Sequence, residues 1–533
     1  MTLRVDLLLA GGTVVDGTGA PGFPADVAVA GGRIVLPPAG EPVEADRTID
    51  VADHVVAPGF IDLHSHGGLV ILADPRHEPK VRQGITTELI GVDGNAYAPF
   101  PDPADLRDFV VLNGGLDGRP DLAYDWATVA DYLARYDRRV AVNIAYVVGN
   151  SPLRIAALGW DEVEAGDTAI ADQRARLREA LEDGAFGLST GLDYPPGSYA
   201  TTAELAAIAD EAARLGGIYH THVRYPLGDG FLDPFREAIE IGRRSGAPVH
   251  ITHFYHRATF PGPPERMLAL VDDARAEGLD VTFDLYPSEW ASTRLLILLP
   301  TWIQAGGLGP LRERLADRAV RARIRDELRA RGRMFAGDRA FDEVRIGALT
   351  RPEHLAWEGR TLGDVMRETG RDAVDAICDL LLAEDLRVNQ VTPGPHHEGI
   401  RPFLQHPVAM IGTDGVLIAD KPAPRTYGSY PRILGELVRE ERWLGLEAAV
   451  HRMTGAPAAR LGLADRGRIA DGLAADLVVF DPATVRSRAT YEEPRRYPDG
   501  IPYVLVNGIP VVDGGEHTGA TPGRALHRGR PSR

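Results

Sequence analysis

Strand-like apolar runs at 218–223, 248–254 and 280–286 recur about thirty residues apart, with amphipathic helices among them. Neighbouring parallel strands need a crossover of about this length, so the rhythm commits this part of the chain to βα units. One helix is marked by Thr201 and Glu204, which fit a capping box, and by Gly216-Gly217, which stops it after Leu215. The next carries Phe235, Ala238, Ile239 and Ile241 on its apolar face and ends near Gly246, where a terminal glycine belongs. A further strand is expected at 408–412. The roughly 120 Arg/Glu-rich residues before it exceed any simple connection, and read as a mostly helical insertion, about 288–405, able to form a lid. Both chain ends read differently. Short runs at 5–9, 13–15, 26–30 and 33–36, and again at 475–482 and 503–508, alternate with Gly- and Pro-containing turns. The expected division is a small β domain from 1–57 and 463–533, with the βα region, 58–462, inserted between its halves.

Charge and composition narrow the function. The formal net charge is −18 and no Lys/Arg-rich run stands out, which argues against a nucleic-acid or anionic-membrane partner. No apolar run approaches the ~18 residues of a transmembrane helix. The N-terminus lacks the basic start and long apolar centre of a signal peptide, so a cytoplasmic location is expected. The single cysteine, Cys378, lies in an apolar helical pattern and is expected to be a buried small hydrophobe. Of 58 basic residues only Lys80 and Lys421 are lysines.

The chemistry begins at Pro58-Gly59-Phe60-Ile61-Asp62-Leu63-His64-Ser65-His66. An apolar strand delivers two histidines at i and i+2, on one face. His222 closes a second strand pattern, His253 a third, and Asp414 follows a fourth in Met410-Ile411-Gly412-Thr413-Asp414-Gly415. Imidazoles joined by a carboxylate suit zinc best among common metals.

These stretches resemble the amidohydrolase superfamily, and within it the D-aminoacylase (N-acyl-D-amino-acid deacylase) family, over nearly the whole chain. Further matching segments are Gln83-Gly84-Ile85-Thr86-Thr87, Gly187-Leu188-Ser189-Thr190-Gly191-Leu192-Asp193-Tyr194-Pro195-Pro196, Asp284-Leu285-Tyr286-Pro287 and Pro424-Arg425-Thr426-Tyr427-Gly428. The resemblance implies a (β/α)8 TIM barrel of the metal-dependent hydrolase type with a small β domain built from both ends. It implies one tightly bound Zn2+ on His222 and His253, with His64, His66 and Asp414 around a second, weaker or empty position. In the family the tight zinc also takes a cysteine; here Asp93 stands in that place. Asp414 would act as general base and then general acid. Tyr194, Tyr286 and Arg425 match residues that grip a substrate carboxylate, while the family's lysine is replaced by Tyr255, with Lys421 or Arg224 as candidates to restore the lost charge. Neither lysine ends a strand, which excludes a carbamylated lysine bridging two metals.

The expected activity is zinc-dependent hydrolysis of a linear amide, removal of the acyl group from an N-acyl-D-amino acid. A cyclic-amide hydrolase of hydantoin or dihydroorotase type is the alternative, and a non-catalytic binding protein on the same fold a more distant one. The expected partner is a small-molecule amide carrying a carboxylate, and a homo-oligomer is compatible with the sequence.

Overall fold

The computed structural model describes residues 3–38, 40–257, 260–331 and 341–529. Eight short strands form the central barrel: β1 Phe60–Asp62, β2 Ile85–Ile90, β3 Asn143–Tyr146 (continuing as Val148–Gly149 after one irregular residue), β4 Gly187–Gly191, β5 Ile218–His222, β6 Val249–Ile251, β7 Val281–Leu285 and β8 Ala409–Ile411. Each pairs in parallel with the next from β1 to β8. The ring closes just past the strand ends. Leu63 N donates to Ile411 O, Asp414 N donates to His64 O at 2.8 Å, and Ser65 bridges Gly415 in parallel. Residues of β2 and β5 are buried throughout, as expected of strands covered on both faces.

The seam between β1 and β8 is held by charge. Lys80, on the short helix Glu78–Val81, is fully buried. Its ammonium donates to Asp62 at 2.7 Å and to Thr413 Oγ1 at 2.8 Å, and pairs with Glu88 at 2.8 Å. Asp62 belongs to β1, Glu88 to β2, and Thr413 follows β8, so one cation ties three strands. The other Asp62 oxygen accepts from the backbone N–H of His64 and of Thr413. Burial alone would lower the Lys80 pKa, but Asp62 and Glu88 hold it above the ordinary lysine value. An amine kept charged in this way is unavailable for carbamylation, in line with the sequence argument.

The expected helices form. Thr201 caps Thr202–Arg214 by accepting from Glu204 N, but the box is only half made, since the Glu204 carboxylate turns inward to Arg154 and Gln173. Asp233–Ser245 ends at Gly246, which adopts a left-handed conformation with φ of 71°. The two chain ends share one sheet, in which Val55–Pro58 pairs antiparallel with Leu477–Phe480. A polar, exposed strand absent from the sequence reading, Val43–Asp50, pairs in parallel with Leu3–Ala10.

The excursion between β7 and β8, expected to be mostly helical, contains a small sheet as well as helices. Helices such as Leu308–Ala316, Leu362–Thr369 and Ala373–Ala383 pack a core of their own around Leu311, Ile324, Leu362 and Cys378. They are joined by a three-stranded antiparallel sheet of Trp290–Arg294, Asn389–Pro393 and Arg345–Gly347. Partners such as Ser292 and Val391 are almost a hundred residues apart, so no hairpin pattern announces them. No helix among the described residues is long and apolar enough to cross a membrane.

Removing the seam cation leaves the buried Asp62 without a countercharge and Glu88 with His77 alone, and loss of one member of a buried ion pair costs about 3–5 kcal/mol. Lys80→Met is therefore expected to lower unfolding stability by about that amount in urea titrations; a loss below about 1 kcal/mol would show that the seam does not depend on this ammonium.

Candidate metal centre

The parallel strands aim their C-terminal ends at one mouth of the barrel, and the chemistry-bearing side chains gather there. His64 and His66 follow β1, Asp93 follows β2, His222 ends β5, His253 follows β6 and Asp414 follows β8. Asp93, His253 and Asp414 all adopt positive φ, at 55°, 35° and 47°. Such conformations are costly for most side chains, and Asp and His are among the non-glycine residues that tolerate them best. The strained turns lie just beyond the strands and swing these side chains inward.

Asp93 Oδ2 lies 3.4 Å from His64 Nε2, 3.7 Å from His66 Nε2, 3.4 Å from His222 Nδ1 and 3.9 Å from His253 Nε2. Two donors about 2.0–2.1 Å from a tetrahedral zinc are themselves about 3.3–3.4 Å apart. Asp414 Oδ1 faces the same space, 3.7 Å from His64 Nε2 and 3.4 Å from His66 Nε2. His64 Nε2 and Asp93 Oδ1 are buried with no hydrogen-bond partner. Orphaned donors at ligand spacing, of imidazole and carboxylate type, fit a divalent metal. Two overlapping triads, His64–His66–Asp414 and His64–Asp93–His253, each bring one ligand atom per residue within 4.8 Å of the others.

Behind His66, His222 and His253 stands a group that fixes the ring's orientation. His66 Nδ1 meets Asp117 Oδ1 at 2.7 Å, His222 Nε2 meets Asp193 at 3.2 Å, and His253 Nδ1 meets the Tyr225 hydroxyl at 3.2 Å. His64 Nδ1 faces Asp284 at 3.8 Å, and Asp284 also accepts from His253 N at 2.7 Å and contacts His250 at 3.1 Å. A group on one ring nitrogen leaves the other for the metal. The sequence reading missed Asp117, Asp193, Tyr225 and Asp284 in this capacity. Asp193 and Asp284 lie inside recognised segments, but Asp117 sits on a loop 51 residues from its histidine with nothing local to mark it.

The electrostatics ask for a cation. Burial pulls His66 down, yet Asp117 and Asp414 hold its pKa up at about 9. Burial likewise opposes charge on His222, and Asp93 and Asp193 lift it to about 9. Burial and the neighbouring His222 push His253 down to about 3. The two rings face each other with nitrogens 2.9 Å apart. Burial alone would raise Asp414, but Arg425 and His64 hold it down at about 2.

The expected substrate-gripping residues flank this group. The Tyr194 ring lies 5.0 Å from that of His222, and Tyr255 lies 6.4 Å from His253. The Tyr286 hydroxyl donates to that of Tyr255 at 2.6 Å. Arg425 stacks over Tyr286 at 4.0 Å, but its guanidinium is largely engaged. It pairs with Asp414 Oδ2 at 2.8 Å and donates to the carbonyls of Asp414, Trp290 and Ser292. Arg224 is committed to Glu237 and to two backbone carbonyls. Lys421 lies against Gly359 in the insertion.

A closed barrel with imidazoles and carboxylates at its C-terminal mouth defines a metal-binding α/β barrel protein. Residues 47–512 match the model of the amidohydrolase family. The chain belongs to the amidohydrolase family. It is 36% identical to an N-acyl-D-glutamate deacylase of Alcaligenes xylosoxydans xylosoxydans, over 99% of this chain and 98% of that one. A D-aminoacylase of the same organism is also 36% identical, over 98% of both chains. Among solved structures, an N-acyl-D-glutamate deacylase from Bordetella bronchiseptica, complexed with zinc and a phosphonate mimic of the tetrahedral intermediate, superposes with a TM-score of 0.82. The pair is 32% identical and the match covers 98% of this chain and 100% of that one.

Two outcomes are expected of the metal centre. The His66 and His222 rings, held up at about 9, and the His64 ring, which Asp93 and Asp414 raise well above the ordinary imidazole value against burial, carry protons that a metal must displace, so zinc affinity should rise with pH up to and through about 9. Competition with a chelator across that range measures it, and a flat profile would contradict the assignment. A Cβ on Gly191 would stand 1.9 Å from the Asp93 carbonyl oxygen. Gly191→Ala should displace the Asp93 turn and weaken zinc retention about 10–100-fold, as disturbed ligand support does elsewhere; unchanged metal content after dialysis would show that the turn does not set the site.

Proposed function

We infer that the protein is a zinc-dependent hydrolase of linear amides that removes the acyl group from N-acyl-D-amino acids. The observation that carries this reading is Asp93 at ligand spacing from four oriented imidazoles, with the Asp414 carboxylate facing the same space. Similarity to an N-acyl-D-glutamate deacylase and a D-aminoacylase along almost the full chain supports the substrate class. His64, His66, Asp93, His222, His253 and Asp414 would hold the metal, one zinc tightly and a second more weakly. Bound there, zinc supplies Lewis acidity, making water nucleophilic near neutral pH and polarising the scissile carbonyl.

The chain's own part is proton handling and positioning. Arg425 fixes Asp414 Oδ2, so Oδ1 alone faces the reacting space. Held ionised, Asp414 takes a proton from the attacking water as it adds to the carbonyl carbon. It then returns that proton to the amide nitrogen as the C–N bond breaks, so the amine leaves neutral. Products are a carboxylic acid and a D-amino acid. Tyr194, Tyr255, Tyr286 and Arg425 bound the space beside the metal group and position the substrate. The excursion at about 288–405, whose Trp290 and Ser292 carbonyls receive Arg425, forms a roof over that side. The cytoplasm is the proposed location.

Asp414→Asn is expected to lower kcat about 10²–10⁴-fold on N-acetyl-D-amino acids, the range for a lost general acid–base. Wild-type turnover should be abolished by a chelator and confined to D substrates. Equal turnover of L substrates, or full activity in the asparagine variant, would overturn the reading.

A further inference from the structure

Five carboxylates surround the metal group, those of Asp93, Asp117, Asp193, Asp284 and Asp414, and Arg425 is engaged with Asp414. A substrate carboxylate entering this field needs a cation still free to meet it. Arg257 has that character. Its guanidinium carbon lies over the Tyr225 ring, 3.8 Å from the centroid, and 5.9 Å from that of Tyr255. No carboxylate among the described residues lies within ion-pair distance of it. The residue as a whole is half-buried. Its backbone pairs antiparallel with Pro395 of the insertion, which fixes the segment from the roof side.

From this geometry we propose that Arg257 is the specificity-determining residue that receives the substrate's carboxylate, presented by Tyr225 and flanked by Tyr255. Stacking on an aromatic face holds the guanidinium plane while leaving its N–H fork for a bidentate carboxylate. Tyr225 links this anchor to the reacting centre, because its hydroxyl contacts His253 Nδ1 at 3.2 Å. The distance from carboxylate anchor to metal group is thereby set by one rigid ring. Arg294, the other nearby guanidinium without a carboxylate, is fully buried against the Tyr194 ring at 4.9 Å and bonds Leu112 and Asn113. Of the sequence candidates for the missing charge, Arg224 is engaged with Glu237, and Lys421 is exposed beside Gly359 of the insertion.

The proposal rests on the reading that the substrate carries a carboxylate, and its test does not need turnover. Zinc-loaded wild type, Arg257→Met and Arg257→Lys are titrated calorimetrically with N-methanesulfonyl-D-leucine, whose sulfonamide replaces the scissile amide, and with its carboxamide twin. Wild type should prefer the carboxylate about 10–100-fold, the worth of a charge-assisted hydrogen bond. Arg257→Met should erase that preference without changing carboxamide affinity, and Arg257→Lys should restore part of it. Preference retained in Arg257→Met, or lost only in Arg294→Met, would overturn the proposal, as would wild type that does not discriminate. Arg257-dependent discrimination in an enzyme that hydrolyses no N-acyl-D-amino acid would sustain the anchor and sink the proposed reaction.

Discussion

The metal centre depends on a seam. Barrel strands β1 and β8 are joined largely by contacts at and just beyond their ends, and several residues making those contacts belong to the ligand segments. Asp414 N donates to His64 O, and Thr413 and His64 both hang from Asp62. Lys80 makes this arrangement tolerable by neutralising Asp62 and Glu88 in a site closed to water. A buried charge network of this kind is poor evidence of extra stability, since apolar replacements often do as well. Here it fixes register: it sets how far β1 and β8 slide past one another, and therefore whether His64, His66 and Asp414 converge.

Convergence creates the second requirement. Bringing Asp93 and Asp414 together out of water is unfavourable unless positive charge joins them. In the chain alone that charge comes from protons on His64, His66 and His222 and from Arg425. A divalent metal replaces the protons and satisfies donors that otherwise face each other unpaired. The outer carboxylates Asp117, Asp193 and Asp284 orient the rings and raise their basicity. The left-handed turns at Asp93, His253 and Asp414 place strain where the ligands are.

Much of this was legible in the residues. The βα rhythm exposed β5, β6 and β7, and the strand-end positions of His64, His66, His222, His253 and Asp414 were readable because parallel strands present their C-terminal ends together. The half-made capping box at Thr201 shows the limit of a local pattern, for Glu204 obeys Arg154, fifty residues away, instead of its own helix end. The sheet within the insertion was hidden because its strands are five residues or fewer and pair across distant sequence. Asp117, Tyr225 and Arg257 were illegible for a related reason. A loop Asp, Tyr or Arg is ordinary surface chemistry until the fold brings it behind an imidazole or over a ring. Lys80 was read as lying off any strand end, yet its burial followed only from the closing of the seam.

The central claim is that imidazoles and the Asp93 carboxylate together hold the metal. X-ray absorption at the zinc edge of the reconstituted protein tests it most directly. The account predicts a first shell of nitrogen and oxygen alone at about 2.0–2.1 Å, with outer-shell scattering from several imidazole rings. A sulfur contribution at about 2.3 Å, or an oxygen shell with no imidazole scattering behind it, would contradict it.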